Sequence, residues 1–197
     1  RNKILQSYNF DDDWLNRIEA EICTLGLEIY KLRNLQLNTL NVELQNLRQN
    51  HNFQFEIKLE VKDGFLNNEI NFEEYLSNLQ NSRLNDKQYG GTKIGPHRSD
   101  IISIVNNEFD ASLLSTGQQK TIVLMVLLAQ CNYLVNYKKM NPIFLFDEIG
   151  SHLDKYNRQI LLDMIDKFDI QFFLTGTDKN LFSFVSTNAK FYNITDL

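Results

Sequence analysis

Apolar residues in the first third of the chain fall at Leu15, Ile18, Ile22, Leu25, Ile29 and Leu32, with spacings of 3, 4, 3, 4 and 3. That rhythm predicts one face of a long helix from Asp11 to about Gln49, a stretch with no proline and a single glycine, Gly26. Asp11, Asp12 and Asp13 stand at its start, where carboxylates suit the helix dipole. After Leu32 the stripe slips phase, through Leu35 to Leu40, Leu44 and Leu47. Two readings stay open, an amphipathic helix packed on its own domain and a short coiled-coil arm.

Residues 53–61 then alternate, with Phe53, Phe55, Ile57, Leu59 and Val61 on one side and Gln54, Glu56, Lys58 and Glu60 on the other. This predicts a half-buried strand. Asp63-Gly64 reads as a turn and residues 71–83 as a short helix. The polar stretch 84–91 ends in Gly90-Gly91 and is expected to be a boundary or hinge.

The second half changes texture. Residues 101–105 read as an apolar strand, and 119–137 as a helix apolar nearly all round, hence buried. Ile143–Phe146 is apolar without alternation, as in a central parallel strand. A helix over 154–168, a strand over 171–174, a short helix over 180–186 and a last strand over 190–194 complete the pattern. Alternating strands and helices predict an α/β fold with a parallel sheet.

Composition narrows the class without deciding it. The 197 residues are 43% hydrophobic and 23% charged, ordinary globular values. The longest apolar run, residues 122–129, is too short to span a bilayer. Cys23 and Cys131 form no CxxC pair, which argues against a zinc module or disulfide scaffold and for reduced core thiols in a cytoplasmic protein. A net charge of -5 removes bulk basicity as a reason to propose nucleic acid. The many asparagines show no period and are read as compositional bias. The chain opens Arg-Asn-Lys, with no initiator methionine, and is therefore expected to be a fragment or a processed chain.

Three strings carry candidate chemistry. In Leu114-Ser115-Thr116-Gly117-Gln118-Gln119-Lys120, Ser115 and Gln118 have the spacing of a capping box, which fixes a helix N-terminus. Such a terminus presents free backbone N–H groups to a phosphate, and Gly117 allows close approach. The alternative is a capped helix that binds nothing. In Ile143-Phe144-Leu145-Phe146-Asp147-Glu148 an apolar strand ends in two carboxylates, where ligands of open α/β sheets sit. Asp147 is placed to hold Mg²⁺ and Glu148 to act as base, against the plainer reading of an acidic strand end in solvent. Ser151-His152-Leu153-Asp154 follows and by itself is only a helix cap; no other histidine is near His152 in sequence to make it a metal ligand.

In this order the strings resemble the signature (LSTGQQK), Walker B strand (FLFDE) and D-loop (SHLD) of the ATP-binding-cassette ATPases. Thr92-Lys93-Ile94-Gly95-Pro96-His97-Arg98-Ser99-Asp100 is similar to the T-x-x-G-P-H-R-x-D segment of the bacterial RecF family, as is the ending Phe173-Leu174-Thr175-Gly176-Thr177-Asp178. Cassette ATPases usually place a switch histidine before that aspartate. Here Thr177, or less aptly Thr175, holds the place, which puts the γ-phosphate sensor in doubt.

The resemblance implies a helical arm over 1–88 and the C-terminal part of a cassette-type P-loop ATPase head over 89–197. It implies ATP and Mg²⁺ as cofactors, bound between two copies. Ser115, Thr116, Gly117, Gln118, Gln119 and Lys120 would face the partner copy's ATP. Asp147 and Glu148 would serve their own, and Ser151 and Asp154 would belong to the D-loop. It further implies DNA, a homodimer and the mediators RecO and RecR as partners. The role implied is recombinase loading at gaps and single-strand/double-strand junctions, in support of replication and the SOS response. Lys93 and Arg98 are candidates for DNA or nucleotide phosphate, in a basic group with Arg83 and Lys87; the alternative is a turn in which Arg98 pairs with Asp100.

A phosphate loop requires a Gly-Lys step, and none occurs among the 197 residues. The chain alone is thus expected neither to bind ATP tightly nor to hydrolyse it. Structural heads of the chromosome-maintenance type carry far longer arms than the forty or so residues available here. Transporter ATPases use a Gly-Gly signature and a switch histidine, both absent. An interaction fragment without any role for ATP is the remaining alternative.

Overall fold

The helix expected from the leucine rhythm forms as α2, Asp12–His51, and Asp11 caps it by accepting from the backbone N–H groups of Asp13 at 2.9 Å and Trp14 at 3.2 Å. The computed structural model describes residues 1–7, 11–51, 53, 55–63, 71–148, 155–182 and 189–194. The buried line of α2 is not the predicted heptad. It runs through Leu15, Glu19, Cys23, Gly26 and Tyr30, while Leu25, Ile29 and Leu32 are exposed, Leu32 by 57%. The packed positions advance by 4, 4, 3 and 4, a longer repeat than the heptad's 3.5, so the apolar stripe and the packed face diverge along the helix. Farther along, Leu40, Leu44 and Leu47 are buried as expected.

The remaining elements in chain order are α1 (Asn2–Gln6), β1 (Ile57–Lys62), α3 (Phe72–Asn81), α4 (Arg83–Tyr89), β2 (Asp100–Val105), β3 (Phe109–Asp110), α5 (Thr116–Asn132), β4 (Ile143–Phe146), α6 (Lys155–Ile165) and β5 (Gln171–Leu174). Short 3₁₀ turns occupy Pro96–Arg98, Ala111–Leu113 and Lys179–Phe182. They form two compact units: residues 1–39 with 59–103, and residues 40–58 with 104–197. The boundary expected at 88/89 lies inside the first.

In the first unit Ile4, Leu5 and Leu15 pack as one cluster, and Cys23, Tyr75 and Leu79 as another. Each large side chain so buried contributes about 1.5–3 kcal/mol. Gly26 is required where it stands, because a Cβ there would meet Tyr75 Cε1 at 2.8 Å. Asn71 caps α3 by accepting from Glu74 N at 2.8 Å. The hinge expected at 84–91 is instead mostly helix α4, closed by Gly90 in the left-handed conformation at φ 77°. Its polar sequence misleads because Asp86 is buried, bonded to Arg1 and Ser82. Arg1 also reaches Glu19 and the Leu79 carbonyl, and Arg83 pairs with Glu19.

In the second unit β3 pairs antiparallel with β2, Ile104 opposite Asp110 and Val105 opposite Phe109. Asn106 and Asn107 both hold positive φ in the connecting turn, a conformation asparagine tolerates well. At these positions asparagine has a conformational role, contrary to the reading of compositional bias. Strands β4 and β5 pair in parallel, Ile143 with Gln171 through Phe146 with Leu174. Phe144, Phe146 and Phe172 stack on one side of this pair, while Leu145 is 73% exposed and Phe173 51% exposed on the other. The expected burial of β4 on both faces is therefore not met among the described residues. Helix α5 is likewise buried only in part: Met125, Leu128 and Ala129 are inside, but Val123 and Leu127 are exposed. It ends in a π-helical turn, Tyr133–Tyr137, where the expected helix ran straight on. Residues 190–193 carry no strand, and Phe191, Tyr192 and Ile194 are exposed, so the last predicted strand is absent from the described residues.

Candidate nucleotide site

Helix α5 begins as the capping box predicts. Gln118 N donates to Ser115 Oγ at 3.4 Å, and Ser115 N donates to Gln118 Oε1 at 3.1 Å. Ser115, Thr116 and Gly117 are exposed, so the first-turn N–H groups and the positive end of a 17-residue helix face solvent. Gln118 is half-buried and its carboxamide oxygen is folded back on Ser115. Gln119, expected among the ATP-facing residues, turns the other way: its Nε2 donates to the carbonyls of Ser112 at 3.0 Å and Leu114 at 2.9 Å. It braces the approach to the helix. Lys120 is half-buried one turn in.

At the carboxyl end of β4 the chain leaves the strand sharply. Glu148 adopts φ 52°, uncommon outside glycine. Three bonds tie this bend to Thr175, the residue after β5. Thr175 N donates to Phe146 O at 2.9 Å, Thr175 Oγ1 donates to Asp147 Oδ1, and Glu148 N donates to Thr175 Oγ1 at 2.9 Å. Asp147 is exposed and Glu148 half-buried. Thr175 is the only hydrogen-bond partner of the Asp147 carboxylate among the described residues. The second carboxylate oxygen has no hydrogen-bond partner among the described residues.

Among the described residues no group of three or more His, Cys, Asp or Glu side chains is fit to hold a metal by itself. Asp147 nonetheless suits Mg²⁺, which in nucleotide sites takes one or two carboxylates and completes its shell from phosphate and water. Ser151, His152 and Asp154 lie outside the described residues. Thr177 is exposed.

Arg98 is exposed in the 3₁₀ turn after Gly95, and its side chain has no ion pair or hydrogen bond among the described residues; Asp100 instead accepts from Ile101 N at 2.8 Å. Lys93 lies 5.0 Å over the Tyr89 ring. Arg83 leaves the expected basic group, since Glu19 and Asp12 engage it. Thr175 is the residue whose contacts sequence reasoning missed. Its partners are 27 and 28 positions away, and the only signal was a hydroxyl just past β5, where the neighbouring strand ends in acids.

This geometry is an α/β fold with an acidic strand end and an exposed, capped helix terminus. The chain belongs to the RecF/RecN/SMC N-terminal domain family, whose model matches residues 16–196. Within that class it is 33% identical over 203 residues to the DNA replication and repair protein RecF of Rhizobium johnstonii, covering 100% of this chain and 54% of the relative. It is 32% identical over 201 residues to RecF of Brucella abortus, covering 98% and 52%. Among solved structures it resembles the recombination mediator protein RecF of the RecFOR pathway, in its ATP form with a TM-score of 0.74 and in its ATPrS form with 0.72. Each likeness is at 21% identity and covers 91% of this chain and 50% of the other, and establishes the fold. The chain spans about half the length of the relatives it matches.

Proposed function

We propose that this chain supplies the arm and the signature-and-acid part of a RecF-type ATPase head that dimerises on DNA when ATP is bound. The observation that carries the reading is the strand end: Asp147 and Glu148 at the mouth of a parallel pair, aimed by Thr175, in the same unit as the exposed α5 terminus. In phosphoryl transfer the protein contributes chiefly position and charge, and these residues fit those parts. Asp147 would hold Mg²⁺, whose chemistry is to neutralise the phosphate oxygens. Glu148 would orient and deprotonate the attacking water. Ser115, Gly117 and the α5 N–H groups would meet the γ-phosphate of ATP held by a partner copy, with Gln118 and Lys120 beside them.

Isolated from a phosphate loop, the chain would be inactive, because no Gly-Lys step occurs in it. Within the RecF reading its partners are single- and double-stranded DNA, a second copy, and RecO and RecR, and its work is recombinase loading at gaps and junctions in replication, repair and the SOS response. Lys93 and Arg98, both exposed, would meet the DNA backbone, which makes binding salt-sensitive and blind to sequence. A single forty-residue helix as the arm favours this reading over a chromosome-maintenance head.

The test is ATP-dependent association on gapped DNA, followed by sedimentation, in a form that carries a phosphate loop. Glu148→Gln is expected to accumulate the ATP-bound dimer and Ser115→Arg to prevent it. Normal dimerisation of the Ser115→Arg variant would remove the signature assignment.

A further inference from the structure

Thr175 makes three contacts with three consecutive residues of the neighbouring strand end. Its N–H holds the last strand carbonyl, Phe146 O; its hydroxyl proton is given to Asp147; its hydroxyl lone pair receives the N–H of Glu148. A hydroxyl can donate once and still accept, so one oxygen serves both neighbours at the same time. We infer that Thr175 is a positioning residue for the acid pair: it fixes the carboxylate of Asp147 in direction and holds Glu148 in its left-handed turn, and it is not a phosphate sensor. The proposal rests on the ATPase reading only for its catalytic consequence; the clamp itself is a property of this chain.

Two physical points support it. A non-glycine residue at φ 52° is held there at a cost, and such conformations persist where surrounding bonds over-determine them. Glu148 N is bonded to the Thr175 hydroxyl, and the partner strand is itself registered to β4 along four residue pairs, so Thr175 is delivered by a fixed neighbour. Secondly, a threonine hydroxyl that already gives its proton to a carboxylate has no proton left for a phosphate oxygen. Sensing by Thr175 would require the clamp to open. Thr177, exposed and two residues on, has no such bond among the described residues.

The chemistry predicts which replacements work. Serine keeps the donor and acceptor; valine keeps the shape and loses both. The first measurement is amide hydrogen exchange in the 197-residue chain. Glu148 N–H is expected to exchange about tenfold faster in Thr175→Val than in the parent, with Thr175→Ser close to the parent and the amides of β5 unchanged in all three. Equal protection of Glu148 in parent and valine variant overturns the clamp, whatever the chain does with ATP. The second measurement is steady-state ATP hydrolysis in a form that carries a phosphate loop. There Thr175→Val is expected to lower kcat about tenfold with KM for ATP within about twofold, and Thr175→Ser to restore kcat. A loosened Glu148 amide with an unchanged kcat overturns the positioning role and leaves the ATPase reading standing. No hydrolysis by the parent form overturns the ATPase reading and leaves the exchange result to decide the clamp. A rise in KM without loss of kcat would return Thr175 to nucleotide contact and overturn the proposal.

Discussion

Each of the two units contains a pair of neighbouring acids, and the two treat them oppositely. In the first, Glu19 and Asp86 are buried and answered by arginines: Arg1 bridges both, and Arg83 closes on Glu19. Those charges are neutralised within the fold and offer nothing to a ligand. In the second, Asp147 and Glu148 stand at a strand end and are held by a neutral hydroxyl. A hydroxyl fixes direction without cancelling charge, so the Asp147 carboxylate that accepts from it keeps its attraction for a cation. The first pair is spent on the scaffold, and the second is the pair proposed for chemistry.

The comparison is most easily broken at Glu19. Its replacement by Ala takes one of two carboxylates from Arg1, whose side chain is nearly fully buried, and breaks the pair with Arg83. A loss of about 3–5 kcal/mol in urea unfolding is expected; a loss below 1 kcal/mol would show that the network is not structural. Asp147→Asn should stay within about 0.5 kcal/mol of the parent in the same assay, because the site is exposed and Asn keeps an oxygen to accept from Thr175. Gly26→Ala should cost about 1–3 kcal/mol through the clash with Tyr75, and Tyr75→Phe should not relieve it, since the close atom is a ring carbon. Ser115→Ala should cost about 1 kcal/mol by uncapping α5.

One effect appears only in alkali. Burial, with help from the nearby Glu19 charge, pushes the Cys23 thiol from the ordinary 9.0 up to about 11, and burial pushes Cys131 up to about 12. A folded pKa above the unfolded one gives stability that is full below pH 9 and is lost as pH rises toward 11–12. Unfolding free energy should therefore be flat from pH 7 to 8.5 and fall above 9, and Cys131→Ala should shallow that fall.

Much of the site was legible in sequence, and for local reasons. The capping box at Ser115 is a four-residue pattern, and β4 and β5 are short apolar runs whose ends need no distant information. What escaped was non-local. Helix α4 reads as polar loop until Arg1 is seen beside Asp86, 85 positions away. The heptad stripe of α2 points to one buried face, yet the packed line passes through Glu19, which two arginines meet. Thr175 was visible as a candidate, but its role depends on where β5 sets it against β4.

The central claim is that this chain holds the acids and the helix terminus of an ATP site whose phosphate loop is not among its 197 residues. Calorimetric titration of Mg-ATP into the chain tests it most directly. The account predicts no saturable binding at micromolar concentrations. A micromolar or tighter Kd that Asp147→Asn abolishes would contradict it, by showing a complete nucleotide site within the chain itself.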